Sequence, residues 1–288
     1  MSDPGADKME KILICERGNC MVPSPDYMIR MLKKGCPDCK VVVLGYQDDR
    51  IEEFYRELMD TTALLTGFLK IDKEVMDHAP GLKVISIIAT GYDNVDIEEA
   101  TMRGIGVCPV GEYCTKDVAE HTIALMLALN KNLKVYTYDV EKRYQWNFNN
   151  ARTPIRIEEQ TFGIFGFGKI GRQVAKLAKG LGMKVIAHDP YVSEETAEEL
   201  EVELMEADDV YANADVISNH MNLSDRNRAY FTSVEFAKMK RSPIFLNLGR
   251  GLSVNEKDLA DALDQGIVRA AGLDVLTDET PKLQNHIN

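Results

Sequence analysis

Between Thr161 and Tyr191 the chain reads TFGIFGFGKIGRQVAKLAKGLGMKVIAHDPY. The residues that could do chemistry here are Gly166, Gly168 and Gly171, spaced as G-x-G-x-x-G, and an acid, Asp189, 18 residues beyond the last glycine. Gly166 suits a tight turn. Gly168, lacking a side chain, lets the backbone approach a pyrophosphate, and Gly171 lets a helix pack against a strand. The N–H groups at the helix start, around Lys169 and Ile170, face phosphates where the helix dipole is positive. Asp189 is placed to accept hydrogen bonds from an adenosine ribose and to repel a 2′-phosphate. Pro190 and Tyr191 follow with no Arg to receive that phosphate, so the stretch reads as an NAD site rather than an NADP site.

A glycine turn means little unless secondary structure positions it. Here an apolar run, Phe162 to Phe165, precedes it. Helical spacing follows (Ile170, Val174, Leu177, Leu181), then a second apolar run, Met183 to Ala187. Strand, turn, helix, strand and acid is the order that a dinucleotide site requires. The rest of the chain repeats the alternation. Strands are expected at 11–15, 41–44, 63–65, 82–89, 105–110, 215–218, 244–248 and 268–275. Helices are expected after Pro25 and at 51–59, 73–78, 97–103, 234–239 and 255–263. Alternation of this kind predicts an α/β fold with parallel sheets covered by helices on both faces. The first half lacks a glycine fingerprint. We read residues 1–103 as a second α/β unit with a different task and 104–288 as the NAD-binding domain. Thr115 to Leu129 is a strong helix signal that can run on through Tyr136, Tyr138, Tyr144 and Trp146. That aromatic extension suits a subunit interface or packing within the chain equally well. His121, on this helix, is expected to be a packed core residue.

Composition narrows the function classes. A length of 288 residues suffices for two cores. The net charge of −12 argues against a nucleic-acid partner, because nothing would offset phosphate repulsion. No apolar run approaches a bilayer-spanning length, and MSDPGADKMEK has no signal-peptide core, so a cytoplasmic protein without membrane contact is expected. Cys36-Pro-Asp-Cys39 with Cys15 and Cys20 could be imagined as a zinc site. Cys15, however, sits in an apolar strand pattern as a small buried thiol, and no metal is expected.

Four segments together resemble the D-isomer-specific 2-hydroxyacid dehydrogenase family: ATGYDNVD (89–96), VAEHTIALMLAL (118–129), GIFGFGKIG with HDPY, and NLGRGLSVNEKDLADAL through GLDVLTDETP (247–281). The resemblance implies two Rossmann-like, doubly wound parallel-sheet domains with the cofactor cleft between them, residues 1–103 forming the substrate domain. It also implies reversible hydride transfer between C4 of nicotinamide and the carbonyl carbon of a 2-oxo acid, and a homodimer. Arg250 matches the family's substrate arginine, whose planar guanidinium can address carboxylate and carbonyl with forked bonds. Backbone N–H groups near Thr90, Gly91 and Tyr92 would bind the other side of the carboxylate. Glu279, 29 residues after Arg250, matches the carboxylate that raises the pKa of a catalytic histidine. Asp274 matches the residue holding the nicotinamide amide. Met221, Asn222 and Asn227 match a cofactor-lining loop, Asn222 standing where the family usually has proline. Leu248 and Gly249 join the cofactor set.

The family's histidine lies on a strand well past the glutamate, in a Thr-Pro-His setting. The sequence ends nine residues after Glu279, and His286 has neither that spacing nor that proline. The 288 residues as given are therefore expected to turn over slowly or not at all, either as part of a longer enzyme or as an NAD-binding scaffold or redox sensor of the corepressor kind. Gly67-Phe68 stands where phosphoglycerate dehydrogenases place an arginine for phosphate, which favours an unphosphorylated acid.

Overall fold

A computed structural model describes residues 9–17 and 24–279. The chain divides into two compact units between Tyr113 and Cys114.

In the first unit, strands β1 (Lys11–Arg17), β2 (Lys40–Tyr46), β3 (Ala63–Thr66), β4 (Val84–Ile87) and β5 (Gly106–Pro109) alternate with helices α1 (Asp26–Gly35), α2 (Ile51–Leu58), α3 (Lys73–Asp77) and α4 (Ile97–Met102). All pairs are parallel, in the order β2-β1-β3-β4-β5. This is one of the two common doubly wound orders. Its core gathers Leu13, Phe54, Leu58, Leu64, Ile71, Ile85 and Ile87. The boundary expected at 103/104 moves to 113/114 because β5 pairs along β4 (Val84 with Gly106, Ile87 with Pro109) and so completes the first sheet. Cys15 is fully buried in β1, and burial pushes its thiol up to about 12. Cys20 lies outside the described residues.

The second unit begins with α5 (Thr115–Asn130) and α6 (Leu133–Arg143). It continues through β6 (Thr161–Phe165), α7 (Lys169–Gly180), β7 (Lys184–His188), α8 (Glu194–Glu198), β8 (Glu203–Leu204) and α9 (Ala207–Asn213). Then come β9 (Val216–Asn219), α10 (Ser233–Phe236), β10 (Ile244–Asn247), α11 (Glu256–Asp264) and β11 (Ala270–Leu273). The sheet order is β11-β10-β9-β6-β7-β8, all parallel. Counted within the unit this is 6-5-4-1-2-3, the dinucleotide-binding order, with its reversal between β6 and β9. Successive residues of β6 feed opposite faces. Phe162 and Ile164 join Met126, Val174 and Ala178 on one side, and Phe165 joins Tyr211, Phe231 and Phe245 on the other.

One expectation fails here. The long helix does not run on: α5 stops at Asn130, and Asn132 has φ +55°, a left-handed residue that ends one helix and opens the next. A second left-handed residue, Tyr144, ends α6, so Trp146 is outside the helix. Tyr144, Trp146 and Phe148 are 89%, 93% and 78% exposed, so packing within the described chain does not account for them. Among the described residues, no helix is long and apolar enough to cross a membrane.

Candidate active site

The glycine turn sits where the sheet order reverses. β6 ends at Phe165, whose carbonyl accepts from His220 N at 2.8 Å, tying the turn to the loop after β9. Gly166 has φ +87°, and a methyl there would lie 2.7 Å from Met221 N, so neither its backbone nor its surroundings accept a side chain. Gly168 caps α7 and faces open space, with no heavy atom within 4 Å of where a Cβ would stand. A methyl on Gly171 would lie 2.2 Å from the Gly166 carbonyl oxygen, which explains how α7 closes down on its own turn. Lys169 and Ile170 form the first helical residues beside this open space. The arrangement is a turn that leaves room for phosphate in front of helix N–H groups, and a dinucleotide fits it.

Asp189, just past β7, holds the turn from the other side. Its Oδ2 accepts from Phe167 N at 2.8 Å and its Oδ1 from Tyr191 N at 2.9 Å. An ionised carboxylate has about four acceptor sites, so two bonds leave capacity for a ribose diol.

Across the switch point a buried amide network shapes the strand ends. Asn219 Nδ2 donates to Asn247 Oδ1 at 2.9 Å and to Ser253 Oγ at 2.8 Å. Asn219 Oδ1 accepts from Met221 N, and Asn247 Oδ1 from Gly249 N. Asn247 Nδ2 and Ser253 Oγ both donate to the Arg250 carbonyl, at 3.0 and 2.6 Å. Met221, Gly249 and the Arg250 backbone are thus fixed by three side chains almost completely buried, and Leu248 N donates to the Asn219 carbonyl. Sequence reasoning missed Asn219, Asn247 and Ser253. Their signal is an amide ending an otherwise apolar strand, as in VISN and IFLN. Asn227 closes the 222–227 loop, its Oδ1 accepting from Ser224 N at 2.7 Å and its Nδ2 donating to the Asn222 carbonyl at 2.6 Å.

Arg250 is half-buried and donates from Nη1 to the Gly249 carbonyl. The segment after β11 lies against this loop. A methyl on Gly251 would stand 1.9 Å from the Leu276 carbonyl oxygen, and Thr277 N donates to Glu256 Oε1. Asp274 is anchored by its own N–H to the Asn247 carbonyl, and Glu279 accepts from Leu276 N at 3.1 Å. The Arg250 loop and the segment carrying Asp274 and Glu279 are therefore neighbours at the carboxyl end of one sheet. His121 is not the core residue expected of it. It is about half exposed on α5, with Nε2 3.4 Å from Asp274 Oδ1. His286 lies outside the described residues.

In the first unit, Thr90, Gly91 and Tyr92 form the loop after β4. Among the described residues, the N–H groups of Gly91 and Tyr92 have no partner. Asn94 Nδ2 donates to the Leu69 carbonyl at 2.6 Å and the Gly67 carbonyl at 3.2 Å, joining this loop to the one after β3. Beneath the latter sits Glu16, 2% exposed, a residue without a sequence signal. Its Oε2 accepts from Gly67 N at 2.5 Å and Phe68 N at 2.7 Å.

Strand order and glycine turn together define a dinucleotide-binding α/β unit, and comparison with known proteins agrees. Residues 123–287 match the family model described as D-isomer specific 2-hydroxyacid dehydrogenase, NAD binding domain. The chain is 37% identical over 233 residues to the D-3-phosphoglycerate dehydrogenase of Methanocaldococcus jannaschii, covering 80% of this chain and 44% of that one. It is 33% identical over 240 residues to the hydroxypyruvate reductase of Blautia hydrogenotrophica, covering 82% and 74%. The crystal structure of D-lactate dehydrogenase from Aquifex aeolicus, complexed with NAD and lactic acid, superposes with a TM-score of 0.82 at 26% identity, covering 93% of this chain and 77% of that one. The chain belongs to the D-isomer-specific 2-hydroxyacid dehydrogenase family, and its cofactor is NAD. It spans less than half the length of the phosphoglycerate dehydrogenases it matches, 44% of one and 38% of another.

Proposed function

We propose that the full-length protein is an NAD-dependent oxidoreductase that interconverts a small D-2-hydroxy acid and its 2-oxo acid. The observation that carries this reading is the placing of Arg250 beside the segment of Asp274 and Glu279, at the carboxyl end of the sheet that bears the glycine turn. A nucleotide-binding scaffold has no need of a guanidinium and carboxylates gathered there. Bound NAD supplies the two-electron chemistry at its nicotinamide ring.

The chain's own residues bind and orient. Gly168, Lys169 and Ile170 face the pyrophosphate, Asp189 takes the adenosine ribose, and Met221, Asn222, Asn227, Leu248 and Gly249 line the cofactor. Asp274 holds the nicotinamide amide, with His121 at its side. Arg250 forks onto the carboxylate and carbonyl of the substrate; in the first unit, the Gly91 and Tyr92 N–H groups, without a partner among the described residues, suit a carboxylate. Glu279 orients the proton-donating histidine that family resemblance places further along the chain.

Glu16 supports an unphosphorylated substrate. Its carboxylate already satisfies the Gly67 and Phe68 N–H groups, and its charge opposes a phosphate at that loop. We further read the exposed aromatics from Tyr138 to Phe148 as the dimer contact. The reading is tested with full-length protein, NADH and 2-oxo acids with and without a phosphate group, such as hydroxypyruvate and its phosphate ester. Loss of absorbance at 340 nm is expected, fastest with an unphosphorylated acid. No loss with any member of the panel sinks the activity, and a preference for the phosphate ester sinks the substrate class.

A further inference from the structure

At the opposite end of the second unit's sheet, where β6 and β11 begin, the structure forms a half-open cavity of about 60 Å³. Its lining comes from the end of α5 (Leu129, Asn130), the α5–α6 junction (Asn132), the segment Arg152–Ile155, and Arg269 with Ala270 at the start of β11. The glycine turn is at the carboxyl ends of the strands, so this cavity is separated from it by the length of the sheet.

Two features set it apart from an ordinary surface dimple. Its wall is rigid and polar. Asn130, 5% exposed, donates to the Ile155 carbonyl, and Gln160, 1% exposed, donates to Asn130 Oδ1 and to the same carbonyl. Asn132 Nδ2 donates to the Arg152 carbonyl at 2.7 Å. The charges at the cavity also have one sign. Arg269 is half-buried, and its Nη2 reaches only neutral oxygens, Gln160 Oε1 at 2.8 Å and Asn130 Oδ1 at 3.5 Å. Among the described residues, neither Arg269 nor Arg152 makes an ion pair, and the nearby carboxylate of Asp215 is engaged by Arg241. Burial and the neighbouring Arg152 charge pull the Arg269 guanidinium below its ordinary value, against a smaller upward pull from Asp215. A guanidinium that is partly desolvated without an ion pair of its own is unfavourable unless an anion completes it.

We propose that this cavity is a binding site for a phosphate-class dianion, held between the Arg152 and Arg269 guanidiniums and steadied by the Asn130 and Asn132 amides. Its volume is several times the roughly 10–15 Å³ that one water needs, which leaves room for a small tetrahedral ion. Two forked cations from different segments match an ion that presents oxygens in several directions.

The test is calorimetric titration of the full chain with sodium phosphate at constant ionic strength, with chloride as the matched control. Saturating NAD keeps the glycine turn occupied. A saturable single phosphate site is expected. Arg152→Ser should weaken it by about tenfold or more, the loss of one charge-assisted contact. Arg269→Gln should do the same. If that variant does not fold, Arg152→Ser decides alone, because the Arg152 side chain is exposed and makes no described structural bond. A parallel titration with glycerol phosphate identifies the source. Equal or tighter binding indicates the phosphoryl group of a metabolite, and weaker binding indicates the free ion. No saturable heat above the chloride control, or an unchanged phosphate Kd in Arg152→Ser, overturns the proposal.

Discussion

Glu16 and Arg250 show how differently two side chains can serve one site. Glu16 is a buried carboxylate whose Oε2 is spent on two backbone N–H groups, those of Gly67 and Phe68. Glu16→Ala leaves both without an acceptor, and urea unfolding should show a loss of about 2 to 4 kcal/mol. Glu16→Gln, which keeps an oxygen there, should lose less. Arg250 is held at its carbonyl by Asn247 and Ser253, which leaves its role to the guanidinium. Arg250→Lys keeps the charge and removes the planar fork, so kcat/KM for a 2-oxo acid should fall by about 10- to 100-fold while NADH affinity changes little. Equal kinetics in the two proteins would remove Arg250 from substrate binding. Arg250 was legible in the sequence because it sits in a contiguous motif, NLGRG. Glu16 was not, because its partners lie 51 and 52 residues away and its strand reads as apolar.

At the scale of elements, the parallel sheets follow from apolar runs alternating with amphipathic ones, and the expected strands at 63–65, 215–218 and 244–248 match the observed spans to within a residue. The failures are local. A single left-handed residue, Asn132, divides α5 from α6 in a stretch whose side-chain pattern continues unbroken, since backbone sign leaves no mark on hydrophobic spacing. β8 is two residues long, too short for any periodicity. His121 read as core because it stands in an apolar helix, but its own position faces Asp274. The packing of α7 on its turn gives a sharp test. Gly171→Ala puts a methyl into the Gly166 carbonyl, which is backbone and cannot rotate away. Thermal or denaturant unfolding should show a loss of about 1 to 3 kcal/mol. A variant as stable as the parent would contradict the observed closeness of helix and strand.

For the molecule as a whole, pH is a lever on stability through His220, in the loop that meets the glycine turn. Both ring nitrogens are buried without a partner among the described residues, and burial pushes the imidazole from 6.5 down to about 3. The folded state thus keeps His220 neutral while the unfolded chain protonates it below pH 6.5. The stabilisation is complete above 6.5 and is lost as pH falls toward 3, by about 1.4 kcal/mol per pH unit. Urea unfolding between pH 7 and 5 should show this slope in the parent and a shallower one in His220→Met, and equal slopes would contradict the assignment.

The division into two sheets and the choice of NAD are also properties of the whole chain, and the second rests on one carboxylate. Fluorescence or calorimetric titration of the chain with NADH and with NADPH, in the parent and in Asp189→Ala, tests it most directly. The parent should bind NADH at least about tenfold more tightly than NADPH, and Asp189→Ala should lose most of that difference. NADPH binding as tight as NADH in the parent, or a preference untouched by Asp189→Ala, would contradict the assignment of Asp189 to the adenosine ribose.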